Sequence, residues 1–219
     1  MVALTGRAAR KQAVRKPRKG DGWQAEKSAL TRGAILEAAA ECLAERGYSQ
    51  TTTSMIAEQA QVSRGAMMHH FPSRNLVIEA LVAYLHVQRL AAHRELHEVL
   101  QARQDSPMQT RVEIWVESLW AGLLTPAQVA YLELLAAART DAWLGDLLHK
   151  AEKEADALLV DLTRQVIPEW QQSGLVDLQV GCAQCTLRGL AQFPPPPARR
   201  RSQLLEFLVG QLAAANSKP

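Results

Sequence analysis

The segment Thr53–Pro72 constrains the fold of this chain more than any other stretch. Apolar residues recur at helical spacing on both sides of a break at residues 61–63, which predicts two short helices joined by a tight turn. This is the pattern of a helix-turn-helix, and the small Ala57 suits the point where two such helices cross. Ser63 is placed to cap the second helix, whose N-terminus then favours the negative charge of a phosphate.

The composition predicts an all-α fold. The 219 residues are 47% hydrophobic but only 5% aromatic, and the alternating Val, Ile and Thr runs typical of strands are almost absent. We expect about nine helices, with a three-helix helix-turn-helix domain followed by a larger helical domain. The expected parts are a basic arm at residues 1–29, the helix-turn-helix domain at 30–74 and the larger domain at 75–219.

Positive charge is concentrated at the end of the chain that holds the helix-turn-helix. Residues 1–75 contain 12 Lys and Arg against 6 Asp and Glu, a net charge of +6. The rest of the chain contains 13 against 16, a net charge of −3. This asymmetry is typical of a nucleic-acid-binding protein, so double-stranded DNA is the expected partner.

The first 29 residues show no apolar period, and we expect them to be disordered. Seven Lys or Arg and no acidic residue lie within the first twenty. One interpretation is a solvated tail without function, and another is an arm that adds phosphate or minor-groove contacts. The composition also resembles an organellar transit peptide, which we favour less because a basic arm before a DNA-binding unit has the same composition.

Nine helices are predicted from apolar periodicity and from capping residues. Thr52 is the expected N-cap of the second helix, and Pro168 is expected to end the seventh. The predicted helices lie at residues 31–46, 53–60, 64–70, 74–103, 107–124, 126–139, 141–168, 177–191 and 198–214.

Several residues between Thr31 and Leu81 occur at the spacing of a known family. They are Ile35-Leu36-Glu37-Ala38-Ala39, Gly47-Tyr48, the threonines 51–53, Ile56-Ala57, Val62-Ser63-Arg64-Gly65 and His69-His70-Phe71-Pro72-Ser73-Arg74. On these residues the segment resembles the DNA-binding domain of the TetR family of bacterial transcriptional regulators. Two positions depart from the family pattern, because Gln61 stands where Gly is usual and Met68 where Tyr is usual. We expect Gln61 to adopt a left-handed conformation at a cost of roughly 1 kcal/mol.

The resemblance implies a homodimeric regulator, most often a repressor, on a partly palindromic DNA operator. Its two recognition helices would enter successive major grooves about 34 Å apart. The residues implied in DNA contacts are Thr51, Thr52, Ser63, Arg64, Gly65, Ala66, Met68, His69, His70 and Arg74. Arg64 is the strongest candidate for a base contact because guanidinium pairs in bidentate fashion with guanine, and a phosphate contact is the alternative.

The resemblance also implies a cavity for a small-molecule effector, which we expect to be apolar or aromatic. The candidate lining residues are Tyr84, Gln88, Trp115, Leu119, Tyr131 and Leu135, and the alternative is that they are ordinary core residues. For the dimer we expect a four-helix bundle made by the stripe on helix 141–168 and by the last helix. The candidate interface residues are Leu144, Leu148, Ala155, Leu159, Leu162, Leu204, Leu208 and Leu212, and the alternative is that these faces pack inside one subunit.

A metal- or redox-responsive sensor is the competing function. His93 and His97 have a spacing that chelates a metal, although exposed or core histidines are favoured. Cys182 and Cys185 form a C-x-x-C pair, although two small buried hydrophobes are favoured. No phosphate loop, G-x-S-x-G or H-E-x-x-H motif occurs, so we expect no enzyme activity, no cofactor and no metal.

The cysteine usage predicts a cytoplasmic protein. Three cysteines in a chain without a signal-peptide pattern indicate free thiols in a reducing compartment. No apolar run approaches the length that crosses a bilayer, so we expect no membrane partner.

Overall fold

The structure is a computed structural model that describes residues 21–192 and 196–214. These residues form ten α-helices and no strand, so the all-α prediction is confirmed. The helices are α1 (Asp21–Arg46), α2 (Thr53–Gln59), α3 (Arg64–His70), α4 (Arg74–Gln101), α5 (Met108–Leu123), α6 (Pro126–Ala138), α7 (Ala142–Val166), α8 (Pro168–Gln172), α9 (Val176–Gln192) and α10 (Ala198–Ala214).

Helix α1 begins at Asp21, earlier than predicted. Residues 24–30 are Gln-Ala-Glu-Lys-Ser-Ala-Leu, most of which are good helix formers, and no proline interrupts them. The added turns are exposed at Trp23 and Leu30, and the Lys27 ammonium lies 5.5 Å from the centroid of the Trp23 ring. The prediction of disorder is therefore wrong for residues 21–29, while residues 1–20 lie outside the described part of the chain.

Helix α7 ends earlier than predicted, and a tenth helix follows it. Its last residue is Val166, and Pro168 is the first residue of the short helix α8. Proline fits the first turn of a helix because its missing N–H would have no intrahelical partner there. Pro168 therefore starts a helix as well as following the end of one.

Two groups of buried side chains hold the helices together. The N-terminal core joins α1–α3 to the first half of α4, to α6 and to the start of α7. The C-terminal core joins the second half of α4 to α5, α7, α8, α9 and α10, and it contains Trp115 and Trp170 packed edge to face at 5.5 Å. Helix α6 packs extensively against α1, so the helix-turn-helix is braced by a helix of the predicted larger domain.

Within the described residues, no single helix has both the length and the apolar composition needed to cross a membrane. The consecutive helices α5 and α6 meet these requirements only when taken together, and they meet at a bend of 76°.

Candidate nucleic-acid interface

The two short helices begin at the predicted caps. Thr52 Oγ1 accepts a hydrogen bond from Met55 N at 3.3 Å, and Ser63 Oγ accepts one from Ala66 N at 3.1 Å. Both residues have extended backbones, as N-caps usually do.

The turn between these helices depends on one unusual residue. Gln61 has a φ of +55°, the only non-glycine residue with positive φ in the described part of the chain, which confirms the predicted left-handed conformation. Its N–H donates to Glu58 O at 3.0 Å, and Val62 N donates to Ala57 O at 3.0 Å. These bonds close α2 and turn the chain into α3 despite the side chain at Gln61.

Helix α3 has one buried residue and an open outer face. Met67 is 1% exposed and packs in the N-terminal core together with Ile56 and Phe71. The outer face therefore excludes Met67 and presents Arg64, Gly65, Met68 and His69 to solvent, with Ala66 and His70 half-buried.

The chain offers little negative charge near this face. Between residues 48 and 75 the only acidic residue is Glu58, which is exposed on α2. Burial, with contributions from the charges of His69 and Arg32, lowers the pKa of His70, so this histidine is neutral at neutral pH. The positive charge of α3 itself therefore comes from Arg64.

Two of the predicted DNA-contacting side chains are engaged inside the chain. Thr51 is 1% exposed, and its hydroxyl donates at 3.1 Å to Cys42 O and at 2.9 Å to Gly47 O as alternatives. Arg74 donates at 3.1 Å to Thr51 O and at 2.5 Å to Tyr48 O, and its guanidinium lies 4.2 Å from the centroid of the Tyr48 ring.

These contacts hold the loop between α1 and α2 against the start of α4. Thr51 offers no accessible hydroxyl to DNA, and part of the Arg74 guanidinium is already committed to backbone carbonyls. Sequence reasoning missed this positioning role, because nothing in the local pattern indicates which carbonyls Arg74 reaches.

A cavity of about 350 Å³ lies between α4, α5, α6, α7 and α9. Leu119 and Tyr131 line it, as predicted, whereas Tyr84, Gln88, Trp115 and Leu135 do not. Its apolar wall includes Leu96, Val99, Leu119, Leu123, Leu132 and Leu187.

The four predicted residues that miss the cavity have other surroundings. Tyr84 packs on the N-terminal core and donates to Glu37 at 3.3 Å, while Gln88 is exposed on α4. Trp115, one turn before the cavity residue Leu119 on α5, is buried in the C-terminal core and donates through Nε1 to Thr163 Oγ1 at 3.1 Å. Leu135 packs on the N-terminal core, because α6 turns that face towards α1.

Buried charges border the cavity on one side. Arg89, only 4% exposed, forms ion pairs with Glu152 and, at 3.2 Å, with Asp156. Arg188 pairs with the other oxygen of Glu152 at 2.7 Å. Burial opposes ionisation of Glu152, but the two guanidiniums prevail and lower its pKa. The cluster therefore ties α4, α7 and α9 together with paired charges.

The predicted dimer stripe on α7 is largely interior. Leu144, Leu148, Ala155 and Leu159 are at most 2% exposed, because α7 packs along α4 within one chain. On α10, Leu208 and Leu212 are also buried, in the C-terminal core. These six side chains form no surface that a second subunit could contact, and only Leu162 and Leu204 are half-buried.

The histidines and cysteines of the competing sensor function are dispersed. His93 is buried, whereas His97 Nε2 lies 3.1 Å from Gln165 Oε1 on the surface. No group of three or more potential metal ligands occurs among the described residues. Cys182 and Cys185 are exposed free thiols, so the interpretation that they are small buried hydrophobes is wrong.

The sequence matches a known family model at its N-terminal end. Residues 35–81 match the model described as "Bacterial regulatory proteins, tetR family". The HTH-type transcriptional regulator TtgR of Pseudomonas putida is 41% identical over 61 residues, which cover 28% of this chain and 29% of that protein. The HTH-type transcriptional repressor AcnR of Corynebacterium glutamicum is 31% identical over 96 residues, which cover 41% and 51%. The chain thus spans between about a third and a half of the length of these relatives.

Solved structures extend the likeness to the whole fold. A TetR-family transcriptional regulator from Mesorhizobium loti MAFF303099 superposes with a TM-score of 0.67 at 18% identity, over 87% of this chain and 97% of that one. Another, from Rhodococcus sp., gives 0.58 at 21% identity, over 86% and 97%. The helix-turn-helix, the family match and the shared fold agree: residues 35–81 are similar to the DNA-binding segment of TetR-family bacterial regulators, and the described chain has the fold of TetR-family regulators.

Proposed function

We propose that this regulator is a repressor that binds a partly palindromic operator as a homodimer and is released by an apolar or aromatic small molecule. The observation that carries the proposal is the outer face of α3, where Arg64 is exposed on a helix capped at its N-terminus by Ser63. A recognition helix with this presentation fits the major groove, and the capped N-termini of α2 and α3 suit phosphates. One of the relatives, AcnR, is named a transcriptional repressor, which supports repression over activation.

The proposed DNA contacts are a reduced set of the predicted ones. Backbone N–H groups at the start of α2, with Thr52, contact phosphates, as the exposed side chains of α3 approach the bases. The base-facing candidates are Ser63, Arg64, Gly65, Met68 and His69. Thr51 is excluded by burial, while Arg74 acts mainly by holding the loop in place.

An operator-binding assay tests this interface. Fluorescence polarisation of the full chain with labelled DNA from upstream of its own gene should show binding that weakens steeply with salt. Arg64→Ala should weaken it by about 1–3 kcal/mol, whereas Arg103→Ala, an equal charge change at the far end of α4, should not. Equal affinity for operator and scrambled DNA, or an Arg64→Ala variant that binds like the wild type, would contradict the proposal.

The same titration distinguishes the two roles of Arg64. If Arg64 contacts a base, the variant loses discrimination at one operator position. If it contacts a phosphate, affinity falls for all sequences alike and the salt slope decreases by about one.

The proposed homodimer uses the exposed faces of α9 and α10, since the stripe on α7 is interior. Leu178 on α9 is 70% exposed and Phe207 on α10 is 66% exposed. The exposed side of α9 also carries Gly181, Cys182 and Cys185, small residues that let another helix approach closely. Apolar side chains of this size at 66–70% exposure are favourable anchors for a second copy of the chain.

Analytical ultracentrifugation tests this arrangement. Phe207→Glu combined with Leu178→Glu should convert a dimer into a monomer, and Val87→Glu, a similar change on an exposed face of α4, should leave the dimer intact. A wild-type chain that sediments as a monomer at operator-binding concentrations would refute the homodimer.

Helix α6 provides the proposed link between the effector and DNA. Tyr131 lines the cavity and also belongs to the N-terminal core that contains the helix-turn-helix. A ligand that favours one position of α6 therefore acts on α1, which packs against it. Release requires that the ligand bind more tightly to the conformation whose two DNA heads do not fit the operator.

A further inference from the structure

One end of the cavity carries two buried polar groups without a partner. His93 and Tyr131 line the cavity and are only 8% and 2% exposed. Neither His93 Nε2 nor Tyr131 Oη makes a hydrogen bond. The Glu152 carboxylate lies near Tyr131, but Tyr131 Oη meets hydrogen-bond geometry with neither of its oxygens, which accept from Arg89 and Arg188. Buried polar groups are nearly always paired, so a molecule in the cavity whose polar atom reached these two atoms would satisfy them.

The charges of the buried cluster cancel, and the other charged lining residue, Glu95, is exposed on α4. Arg89 and Arg188 are matched by Glu152 and Asp156, and the Arg89 guanidinium also lies 5.1 Å from the centroid of the Tyr131 ring. An anionic ligand would have to compete with Glu152 for the guanidiniums. A cationic ligand would face those guanidiniums in a poorly hydrated site. The cluster therefore selects against both kinds of ion.

The two free groups are uncharged. Burial, and then the Glu152 carboxylate, raise the pKa of Tyr131, so the phenol keeps its proton and donates it. Burial, and then the charges of Arg89 and Arg188, lower the pKa of His93 to about 4. A neutral imidazole at Nε2 accepts or donates one hydrogen bond, according to its tautomer.

The rest of the cavity is small and mainly apolar, with Glu95, Ser118, Gln128 and Gln184 as its other polar lining residues. Its wall of Leu and Val side chains encloses about 350 Å³, near the lower end of the roughly 300–1,000 Å³ usual for ligand sites. Such a volume suits a compact molecule of a few rings with little polar surface.

We propose that the cavity selects a neutral molecule with an apolar or aromatic body and one hydroxyl or carbonyl oxygen, bound between Tyr131 Oη and His93 Nε2. The ligand oxygen accepts a hydrogen bond from Tyr131. A ligand hydroxyl donates to His93 Nε2, whereas a carbonyl oxygen accepts a second bond from the other imidazole tautomer. This inference rests on the proposed function, because it names the chemical class of the effector.

Calorimetry with four probes on one ring system tests the selectivity. The full chain without DNA is titrated at pH 7 with 2-naphthol, naphthalene, 2-naphthoate and 2-naphthylmethylammonium. We expect 2-naphthol to bind about tenfold more tightly than naphthalene, because it pairs both buried groups. The two ions should bind more weakly than 2-naphthol.

Variants locate the effect at the two polar groups. Tyr131→Phe should weaken the binding of 2-naphthol about tenfold and leave the affinity for naphthalene unchanged. The four affinities form a double-mutant cycle between the ligand hydroxyl and the protein hydroxyl. His93→Leu should act in the same direction. The matched control is Tyr84→Phe, which removes a tyrosine hydroxyl outside the cavity and should change neither affinity. Circular dichroism confirms that each variant folds, and Tyr131→Phe should fold normally because its hydroxyl has no partner.

Three results would overturn the inference. In the first, Tyr131→Phe weakens the binding of naphthalene and of 2-naphthol equally. In the second, either ion binds more tightly than 2-naphthol. In the third, 2-naphthol does not bind up to its solubility limit. Operator binding is measured separately on the same samples. Selective 2-naphthol binding without operator binding would refute the proposed repressor only, and operator binding with any of the three results would refute this inference only.

Discussion

The helix-turn-helix and the part of the molecule that contains the cavity bury very different side chains. Among the described residues up to 74, Thr51 is the only buried polar side chain. The rest of the described chain buries Arg89, His93, Arg111, Thr163 and Gln179. Buried ions and unpaired polar groups reduce stability unless something compensates them.

Two of these five side chains, Arg89 and His93, line the cavity, whereas the DNA-binding unit has a small and almost entirely apolar core. An apolar core with capped helices holds α3 in one position, as recognition of a major groove requires. The part of the molecule that contains the cavity has paired charges and unpaired hydrogen-bonding groups. A ligand that pairs those groups should change its conformation more easily.

Removing the shared acid of the charge cluster should have the largest effect. Glu152→Gln leaves the buried Arg89 without its main partner and should lower the free energy of unfolding by about 3–5 kcal/mol. Asp156→Asn, at a side chain that is 48% exposed, should cost less than about 1 kcal/mol. Urea denaturation measures the free energy of unfolding of both variants. Similar losses for the two would show that the buried pair contributes no more to stability than the exposed one.

Acid should destabilise the protein through His93. Its pKa is about 4 in the folded protein and about 6.5 in the unfolded chain, which therefore binds more protons between these values. Stability should fall as pH drops from 6.5 to 4, with up to about 3 kcal/mol due to this residue. The groups that face it are Arg89, Arg188 and Glu152.

The wild type and His93→Gln, compared by urea denaturation across this pH range, give the contribution of His93 as the difference between two curves. Parallel curves would show that His93 is already protonated or accessible in the folded protein.

The one buried polar side chain of the DNA-binding unit should matter less. Thr51→Val removes the hydroxyl that bonds to Cys42 O and Gly47 O and should cost about 1–2 kcal/mol in stability. Operator affinity of the folded variant should remain close to wild type, because the hydroxyl is inaccessible. A large loss of DNA affinity at unchanged stability would instead place Thr51 in the interface.

Relieving the turn should give the smallest effect, and a favourable one. Gln61→Gly removes the side chain from a left-handed position and should raise the free energy of unfolding by up to about 1 kcal/mol. Gln59→Gly, at the last residue of α2, serves as the opposite control and should destabilise, because it adds backbone freedom and removes the hydrogen bond from Gln59 Nε2 to Glu41 Oε2 at 2.7 Å. A destabilised Gln61→Gly variant would show that the Gln61 side chain contributes contacts that outweigh its strain.

The same contrast explains what the sequence could predict. The caps Thr52 and Ser63 and the strained Gln61 follow from residues a few positions apart, so local patterns were sufficient. The cavity depends on which sides of α4, α5, α6 and α9 face one another, and two of the six predicted residues line it.

The α7 stripe shows a second limit of sequence patterns. Helical periodicity identifies a face that is buried but not the element that covers it, and here α4 of the same chain covers most of that face. The partners of Arg89 lie 63 and 67 residues away, beyond the reach of any local motif.

Under the proposed function, the place of Tyr131 in both the cavity and the N-terminal core matters for retuning the protein as a biosensor. Cavity residues on α5 and α9, such as Leu119 and Leu187, belong to walls that do not touch the helix-turn-helix core, so exchanging them alters ligand choice alone. Exchanges on α6 alter ligand choice and the support of α1 together. A library built on α5 and α9 therefore searches for new inducers while keeping the output of the sensor constant.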